Sequence, residues 1–190
     1  MYMDYAGIKV VDAAESFLKQ LPGYHDTPKD HTQDTPARFA KMLLEMTTPT
    51  DYNDRWKAFP ATSQDMITLG PIPFYTLCAH HVVPFYGQAW ISYVPDKNIA
   101  GLSKFVRVVQ GISKGLWVQE ELTAAIANFL DRRLAPLGVG VIMKAEHLCM
   151  AMRGIEQPGV ITTTSAMRGV YSEHDRTAKG EFLALVNNSR

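Results

Sequence analysis

Hydrophobic residues recur every three or four positions in two N-terminal stretches, which is the spacing of one face of an α-helix. In residues 7–21 the apolar positions are Val10, Val11, Ala14, Phe17, Leu18 and Leu21. In DTPARFAKMLLEMT they are Phe39, Met42, Leu43 and Met46. Asp34 or Thr35 can cap this second helix, and Pro36 suits its first turn because a missing N–H costs nothing there.

The pattern changes to the alternation of β-strands at residue 67, after a polar stretch over residues 47–66 that is predicted to be irregular. Alternation is clearest over residues 82–95, where one side carries Val83, Phe85, Ala89, Ile91 and Tyr93. Pro84 is expected near a strand start or on an edge, since it cannot donate to the sheet.

The remaining predicted elements are a helix capped by Ser103, a helix at 118–134, strands at 139–153 and 160–171, and a helix at about 175–187. These elements predict an α+β protein. We divide it into an N-terminal helical segment, residues 1–66, and a larger domain, residues 67–190, within one compact domain overall.

Composition narrows the classes of protein that these elements can form. The 190 residues are 46% hydrophobic, enough for one core, and 19 basic residues balance 19 acidic ones. A formal net charge of zero gives no general attraction to nucleic acid or to membranes. No apolar run approaches the ~20 residues that span a bilayer, and the N-terminus lacks the pattern of a signal peptide. We therefore expect a soluble, cytoplasmic protein with no nucleic-acid or membrane partner.

Candidate chemistry comes from the two cysteines, which both lie close to histidine. Cys78 precedes His80 and His81 in FYTLCAHHVVPF, and Cys149 follows His147 in EHLCMAM. Thiolate sulfur and imidazole nitrogen are ligands that Zn²⁺ prefers, and three protein ligands with one open position characterise catalytic zinc. A disulfide or two inert buried thiols are the structural alternatives.

Alternation along the strand predicted at residues 139–153 places His147, Cys149 and Arg153 on one face. The histidine and the cysteine can then line one pocket, and the arginine can reach an anion bound beside a metal. Taken alone, His147 also fits a hydrogen-bonded core histidine, so its place beside Cys149 is what favours a site.

Two other segments carry candidate ligand-binding groups. In GLSKFVR, Ser103 can cap a helix start that attracts anions, and Lys104 and Arg107 share one helical face. This segment predicts either a phosphate site or a capped helix with solvated basic residues. In VQEELT, Gln119 and Glu120 suit a helix N-terminus, and a carboxylate can also pair with the N1–H and 2-amino group of guanine.

Taken together, these segments resemble GTP cyclohydrolase I. The similarity rests on DTPARFAKM, CAHHVVPFYG, GLSKFVRVV, VQEELT, EHLCMAMRG and TTTSAMRGVY, in that order, and covers about residues 30–187. It implies a tunnelling fold (T-fold): an antiparallel sheet with helices packed on one face, whose subunits join edge to edge into a β-barrel. It also implies a homodecamer of two pentamers. The implied reaction opens the imidazole ring of GTP at C8, releases formate and recloses to 7,8-dihydroneopterin triphosphate.

The resemblance also implies roles for residues at matching positions. The implied zinc ligands are Cys78, His81 and Cys149. The implied proton-transfer residues are His80 and His147, and the implied guanine-recognition pair is Gln119 and Glu120. The implied triphosphate contacts are Ser103, Lys104, Arg107 and Arg153, with Arg38 as a further phosphate contact that a neighbouring subunit can supply.

One position departs from the family pattern. Ala79 stands where the family usually has glutamate, between the cysteine and the two histidines. This predicts either an altered rate and substrate preference or compensation by another acid such as Glu146. Two alternatives follow: a relative that acts on another purine nucleotide or stops after partial hydrolysis, and a non-catalytic, zinc-stabilised nucleotide-binding module. Lys114, Gly115 and Trp117 also replace residues that are more polar or basic in the family.

Overall fold

The computed structural model describes residues 5–50, 56–172 and 177–188, with the side chains of the first helix described from residue 9 onward. The helices are α1 Tyr5–Leu18, α2 Lys29–Thr32, α3 Thr35–Thr47, α4 Leu102–Ile112, α5 Gln119–Leu134, α6 Leu148–Ala151 and α7 Thr177–Asn188. The strands are β1 Ala58–Pro60, β2 Ile67–Cys78, β3 Pro84–Val94, β4 Asn98–Ala100, β5 Leu116–Trp117, β6 Gly138–His147 and β7 Ile161–Gly169. Spatial contacts divide the chain into two compact units, Met1–Thr48 and Pro49–Arg190. The division after residue 66 that we derive from the sequence stays a prediction.

The first unit is built on the two predicted N-terminal helices, α1 and α3, which pack against each other. Ala14 and Leu18 of α1 and Ala40 of α3 are buried. The ring of Phe17 stacks on that of Phe39 with 6.5 Å between centroids.

The start of α3 differs in detail from the prediction. Asp34 is its N-cap residue and Pro36 lies in the first turn, but the Asp34 side chain makes no capping hydrogen bond. The carboxylate of Asp34 instead accepts a hydrogen bond from Arg38 Nη2 at 3.2 Å, in an exposed ion pair one turn along the helix. Met42, expected to be buried, is 43% exposed, so the buried stripe of α3 is narrower than predicted.

The second unit is organised around a sheet of five strands in the order β5-β2-β3-β6-β7. The long strands β2, β3, β6 and β7 pair antiparallel, and the two-residue β5 pairs parallel with β2. The alternation predicted for β3 is confirmed, since Phe85, Ala89, Ile91 and Tyr93 are all buried on one face. The predicted α+β class and its antiparallel sheet are therefore confirmed.

Helices cover both faces of this sheet, whereas the family resemblance implies helices on one face. Helices α4 and α5 pack on the face that carries Phe85 and form the main core with it. The opposite face carries Trp90 and Ile142, against which Phe182 and Val186 of α7 pack. The C-terminal helix thus buries a second, smaller cluster. Residues 175 and 176, the predicted start of this helix, lie outside the described residues.

Two predictions for irregular and extended segments are wrong. The stretch at 47–66 contains β1, which pairs antiparallel with β4, although residues 51–55 lie outside the described part. The strand predicted over residues 139–153 ends at His147, where the chain turns into α6. The pairing of β6 with β3 ends at the pair His147–Phe85, one residue after β3 begins at Pro84.

In the described residues, no helix combines the length and the apolar character that a membrane crossing requires.

Candidate metal centre

The turn between β2 and β3 brings Cys78 together with the histidines that follow it. The N–H of Cys78 donates to the Val83 carbonyl at 2.9 Å, and the N–H of Val82 donates to the Cys78 carbonyl at 2.8 Å. Val82 has a φ of 52°, a left-handed conformation that costs a non-glycine residue about 1–2 kcal/mol. This tight turn holds His81 Nδ1 at 3.7 Å from Cys78 Sγ.

Cys149 joins the turn from α6 and completes a group of three possible metal ligands. The donor atoms of Cys78, His81 and Cys149 all lie within 4.8 Å of one another. Tetrahedral zinc, with bonds of ~2.3 Å to sulfur and ~2.1 Å to nitrogen, places a sulfur and a nitrogen about 3.6 Å apart and two sulfurs about 3.8 Å apart. The group therefore fits a tetrahedral metal ion that keeps one position open. Both cysteines are free thiols, which does not support the disulfide alternative.

His80 lies beside this group without belonging to it. Its Nδ1 is 3.9 Å from Cys78 Sγ, and its ring meets that of His81 edge-on at 6.1 Å between centroids. In the described part of the chain, the converging donors are those of Cys78, His81 and Cys149. His80 is thus a neighbour of the group and not one of its converging donors.

Electrostatics link Cys149 to two neighbours. Burial raises the pKa of the Cys149 thiol, Cys78 raises it further, and the positive charge of Arg153 lowers it. Arg153 therefore lies near Cys149, as expected. The two residues are brought together by the turn of α6 and not by a shared face of a strand. Because a bound metal requires thiolates, its binding releases protons.

His147 is the last residue of β6 and is held from two directions. Its ring lies parallel to that of Phe85, with 4.4 Å between centroids and 6° between planes. Its Nε2 lies 2.7 Å from Gln119 Oε1. Burial lowers the pKa of His147, and the carboxylate of Glu120 partly opposes this shift. The ring is therefore neutral at pH 7 and fixed in orientation.

Gln119 is more deeply placed than the sequence indicates. It is only 2% exposed, and its side-chain amide bonds to β6 and β7 as well as to His147. Glu120, the next residue, is exposed. The two residues predicted to recognise guanine together thus differ in their access to a ligand.

The predicted phosphate segment forms the start of α4 but is not capped as expected. Gly101 is the N-cap residue, and Ser103 lies inside the first turn with an exposed side chain. Lys104 is half-buried and Arg107 is exposed. No hydrogen bond or ion pair between described residues joins these side chains to the cysteine–histidine group. Arg38 belongs to the first unit.

The surroundings of Ala79 bear on the missing glutamate. Ala79 is exposed, and its N–H donates to the Trp117 carbonyl at 3.0 Å. Compensation by Glu146 is not supported, because neighbouring residues of a strand face opposite sides and Glu146 points away from the face of His147. Its carboxylate accepts hydrogen bonds from Tyr86 Oη at 3.1 Å and from the Gly159 N–H at 2.8 Å.

The GTP cyclohydrolase I family model matches residues 11–187 of this chain. The chain belongs to the GTP cyclohydrolase I family. It is 42% identical over 178 residues to the GTP cyclohydrolase 1 of Aquifex aeolicus (strain VF5), covering 94% of this chain and 95% of the relative. It is 42% identical over 182 residues to that of Sulfurihydrogenibium sp. (strain YO3AOP1), covering 96% of each. Both the family and the enzyme predicted from the sequence are confirmed.

Another bacterial relative is similar over nearly its whole length. The GTP cyclohydrolase 1 of Streptococcus agalactiae serotype Ia is 41% identical over 182 residues, covering 94% of this chain and 96% of the relative. Among solved structures, the apo form of the archaeosine synthase QueF-Like matches 57% of this chain and 96% of its own, with a TM-score of 0.44 and 16% identity. That likeness is too weak to support an argument.

Proposed function

We propose that this protein is a zinc-dependent GTP cyclohydrolase I, which hydrolyses GTP to formate and 7,8-dihydroneopterin triphosphate. The observation that carries the proposal is the convergence of Cys78, His81 and Cys149 within 4.8 Å in a chain of this family. His80, 3.9 Å from Cys78 Sγ, and His147, two residues before Cys149, supply the proton-transfer residues that such a hydrolysis needs.

Zinc is the metal that suits the donor set. Two cysteine sulfurs and one imidazole nitrogen would hold it through Cys78, His81 and Cys149, and a site with three protein ligands leaves room for a reactant. When bound, zinc supplies Lewis-acid chemistry that acidifies water to a pKa of about 7.

His147 and His80 are proposed to move protons. Opening the imidazole ring of GTP breaks the bond from C8 to N9 by addition of water and leaves a formamide. A second water then breaks the bond from C8 to N7 and releases formate, and each departing nitrogen needs a proton. Burial lowers the pKa of His147, so its ring is neutral at pH 7 and can accept a proton and return it. His80, 3.9 Å from Cys78 Sγ, stands beside the metal position for the second transfer.

The rest of the nucleotide is proposed to be held at a distance from C8. Ser103, Lys104 and Arg107 on α4 and Arg153 after α6 offer hydroxyl, ammonium and guanidinium groups to the triphosphate. Glu120 is exposed, and its carboxylate can accept from the N1–H and 2-amino group of guanine. Binding energy at both ends would orient C8 towards the reacting groups. Arg38 is proposed as a further phosphate contact from a neighbouring subunit.

We also propose a tunnelling fold whose subunits assemble into a homodecamer of two pentamers in the cytoplasm, without nucleic-acid or membrane partners. Support for edge-to-edge assembly comes from β7, the last strand of the sheet in the described residues. Its outer backbone groups are available to pair with another subunit. Size-exclusion chromatography with light scattering tests this assembly.

The direct test of the function is product analysis after incubation of the zinc-loaded protein with GTP. We expect formate and a pterin in equal amounts. Because Ala79 replaces the family glutamate, one alternative keeps specific support: partial hydrolysis or another purine nucleotide as substrate. A ring-opened formamide that accumulates without pterin, or turnover on another nucleotide but not on GTP, would favour that alternative.

A further inference from the structure

The side-chain amide of Gln119 uses its hydrogen-bonding groups inside the protein. The two protons of Nε2 are shared among three acceptors, which are the Met143 carbonyl at 3.3 Å, the Thr162 carbonyl at 3.1 Å and Thr164 Oγ1 at 3.1 Å. Oε1 lies 2.7 Å from His147 Nε2. A residue that is 2% exposed and bonded in this way has little capacity left for a base of a nucleotide.

The orientation of this amide follows from its partners. Backbone carbonyl oxygens only accept hydrogen bonds, so the Gln119 side that faces Met143 and Thr162 must be the NH₂ group. The opposite side, which faces His147, must then be the oxygen.

Two threonines fix the same orientation independently. Thr123 Oγ1 donates to the Gln119 carbonyl at 2.7 Å, so its contact of 2.6 Å with Thr164 Oγ1 must be donated by Thr164. Thr164 has then used its only proton and accepts from the Gln119 amide. The hydrogen bonds run in one direction around a closed ring, from the Gln119 side chain through both threonines to the Gln119 backbone.

This orientation determines which nitrogen of His147 carries the proton. An amide oxygen can only accept, so His147 Nε2 must donate to it and must be protonated. In the neutral ring Nδ1 is then the unprotonated nitrogen. The parallel ring of Phe85 fixes the ring plane, and no hydrogen bond between described residues engages Nδ1. Among the described residues, Nδ1 is therefore the ring nitrogen whose lone pair is left open.

We propose that Gln119 is a positioning residue that fixes the ring orientation and the Nε2–H tautomer of His147, and that it is not a contact to guanine. This revises the role that the sequence resemblance implies for Gln119 and leaves Glu120 as the base-recognising member of the pair. The consequence for turnover rests on the proposed function.

The direct test is the tautomer of His147, read by ¹⁵N solid-state NMR of zinc-loaded protein labelled at its six histidines. The His147 signals are identified by their loss in His147→Gln. In the unmodified protein we expect a protonated Nε2 and an unprotonated Nδ1. In Gln119→Met, which keeps the side-chain volume but removes the amide, we expect a mixture of tautomers. An unchanged single tautomer in Gln119→Met would overturn the proposal.

Kinetics separate positioning from base recognition. We expect Gln119→Met to retain its zinc and its KM for GTP within about 3-fold, while kcat falls about 100-fold, the lower range for loss of a positioned acid–base group. Ser92→Ala is the matched control. Ser92 is buried, and its hydroxyl lies 2.7 Å from Tyr171 Oη, which belongs to the smaller cluster on the opposite face of the sheet. Loss of the Ser92 hydroxyl should therefore leave kcat unchanged. A raised KM with unchanged kcat would show a guanine contact and would refute the proposal.

If the unmodified protein releases no formate from GTP, the proposed function fails, whereas the NMR result still decides the role of Gln119.

Discussion

Replacing Phe85 by leucine tests whether the orientation of His147 matters for turnover. Phe85 is completely buried, and its ring lies parallel to that of His147 at 4.4 Å between centroids. It also meets the ring of Phe74 edge-on at 6.1 Å. Leucine keeps most of the buried apolar area but has no flat surface. The imidazole would then be free to tilt about its remaining hydrogen bond to Gln119.

The expected loss of stability is modest. Each aromatic pair contributes about 0.5–1.5 kcal/mol beyond burial, so the loss of two pairs lowers the free energy of unfolding by about 1–3 kcal/mol. A protein with only about 5 kcal/mol of stability would still be ~97% folded after losing 3 kcal/mol. Unfolding therefore cannot account for a large loss of activity in Phe85→Leu. We expect kcat for formate release to fall about 10-fold or more, with the zinc content unchanged.

The assay combines thermal unfolding, zinc content and kcat for Phe85→Leu and for a matched control, Phe182→Leu. Phe182 is also completely buried and makes an edge-on contact with Tyr171 at 5.9 Å, but it lies in the cluster on the other face of the sheet. We expect a loss of Tm in both variants, smaller in Phe182→Leu because it loses one aromatic pair and not two, and a loss of kcat in Phe85→Leu alone. Equal kcat values in the two variants would refute the argument that the ring of Phe85 positions His147.

Three further predictions follow from other parts of the structure. Gly87→Ala should lower the free energy of unfolding by about 1–3 kcal/mol or more, because the new Cβ would overlap the Lys144 carbonyl oxygen; a chemical denaturation curve like that of the unmodified protein would contradict this. Burial raises the pKa of Tyr171 to about 12 from its ordinary value of 10, so folding favours the neutral phenol. The contribution of Tyr171 to the free energy of unfolding is therefore complete below pH 10 and is lost as the pH rises through 12. This loss amounts to about 2–3 kcal/mol and should be absent in Tyr171→Phe, as urea unfolding between pH 9 and roughly pH 12 will show. Ala79→Glu, at an exposed position, should leave Tm within about 2 °C and change turnover of GTP; identical kinetics would make the position incidental.

The regular elements are largely predictable because their patterns are local. The 3.6-residue period locates α5 to within one residue, since the predicted helix at 118–134 is observed as Gln119–Leu134. Alternation likewise identifies the buried face of β3. The metal ligands are also recognisable, because cysteine and histidine are few and their donor chemistry is distinctive.

Features that depend on contacts between distant segments are not predictable in this way. The hydrophobic and polar pattern continues past His147, so nothing local shows that the pairing of β6 with β3 ends at His147 and Phe85. The role of Gln119 is equally hidden, because its partners at Thr162 and Thr164 come from β7, about 40 residues further along the chain. Strand pairing, and not the sequence around VQEELT, brings those groups to the amide.

The most direct test of a zinc-dependent GTP site is a titration of metal-stripped protein with zinc, in which formate release from GTP is measured at each step. Since Cys78, His81 and Cys149 form one group with converging donor atoms, activity should be absent without metal and should saturate at about one zinc per chain. Cys149→Ala should neither retain zinc nor release formate. Normal turnover of GTP by the metal-free protein, or by Cys149→Ala, would contradict the account.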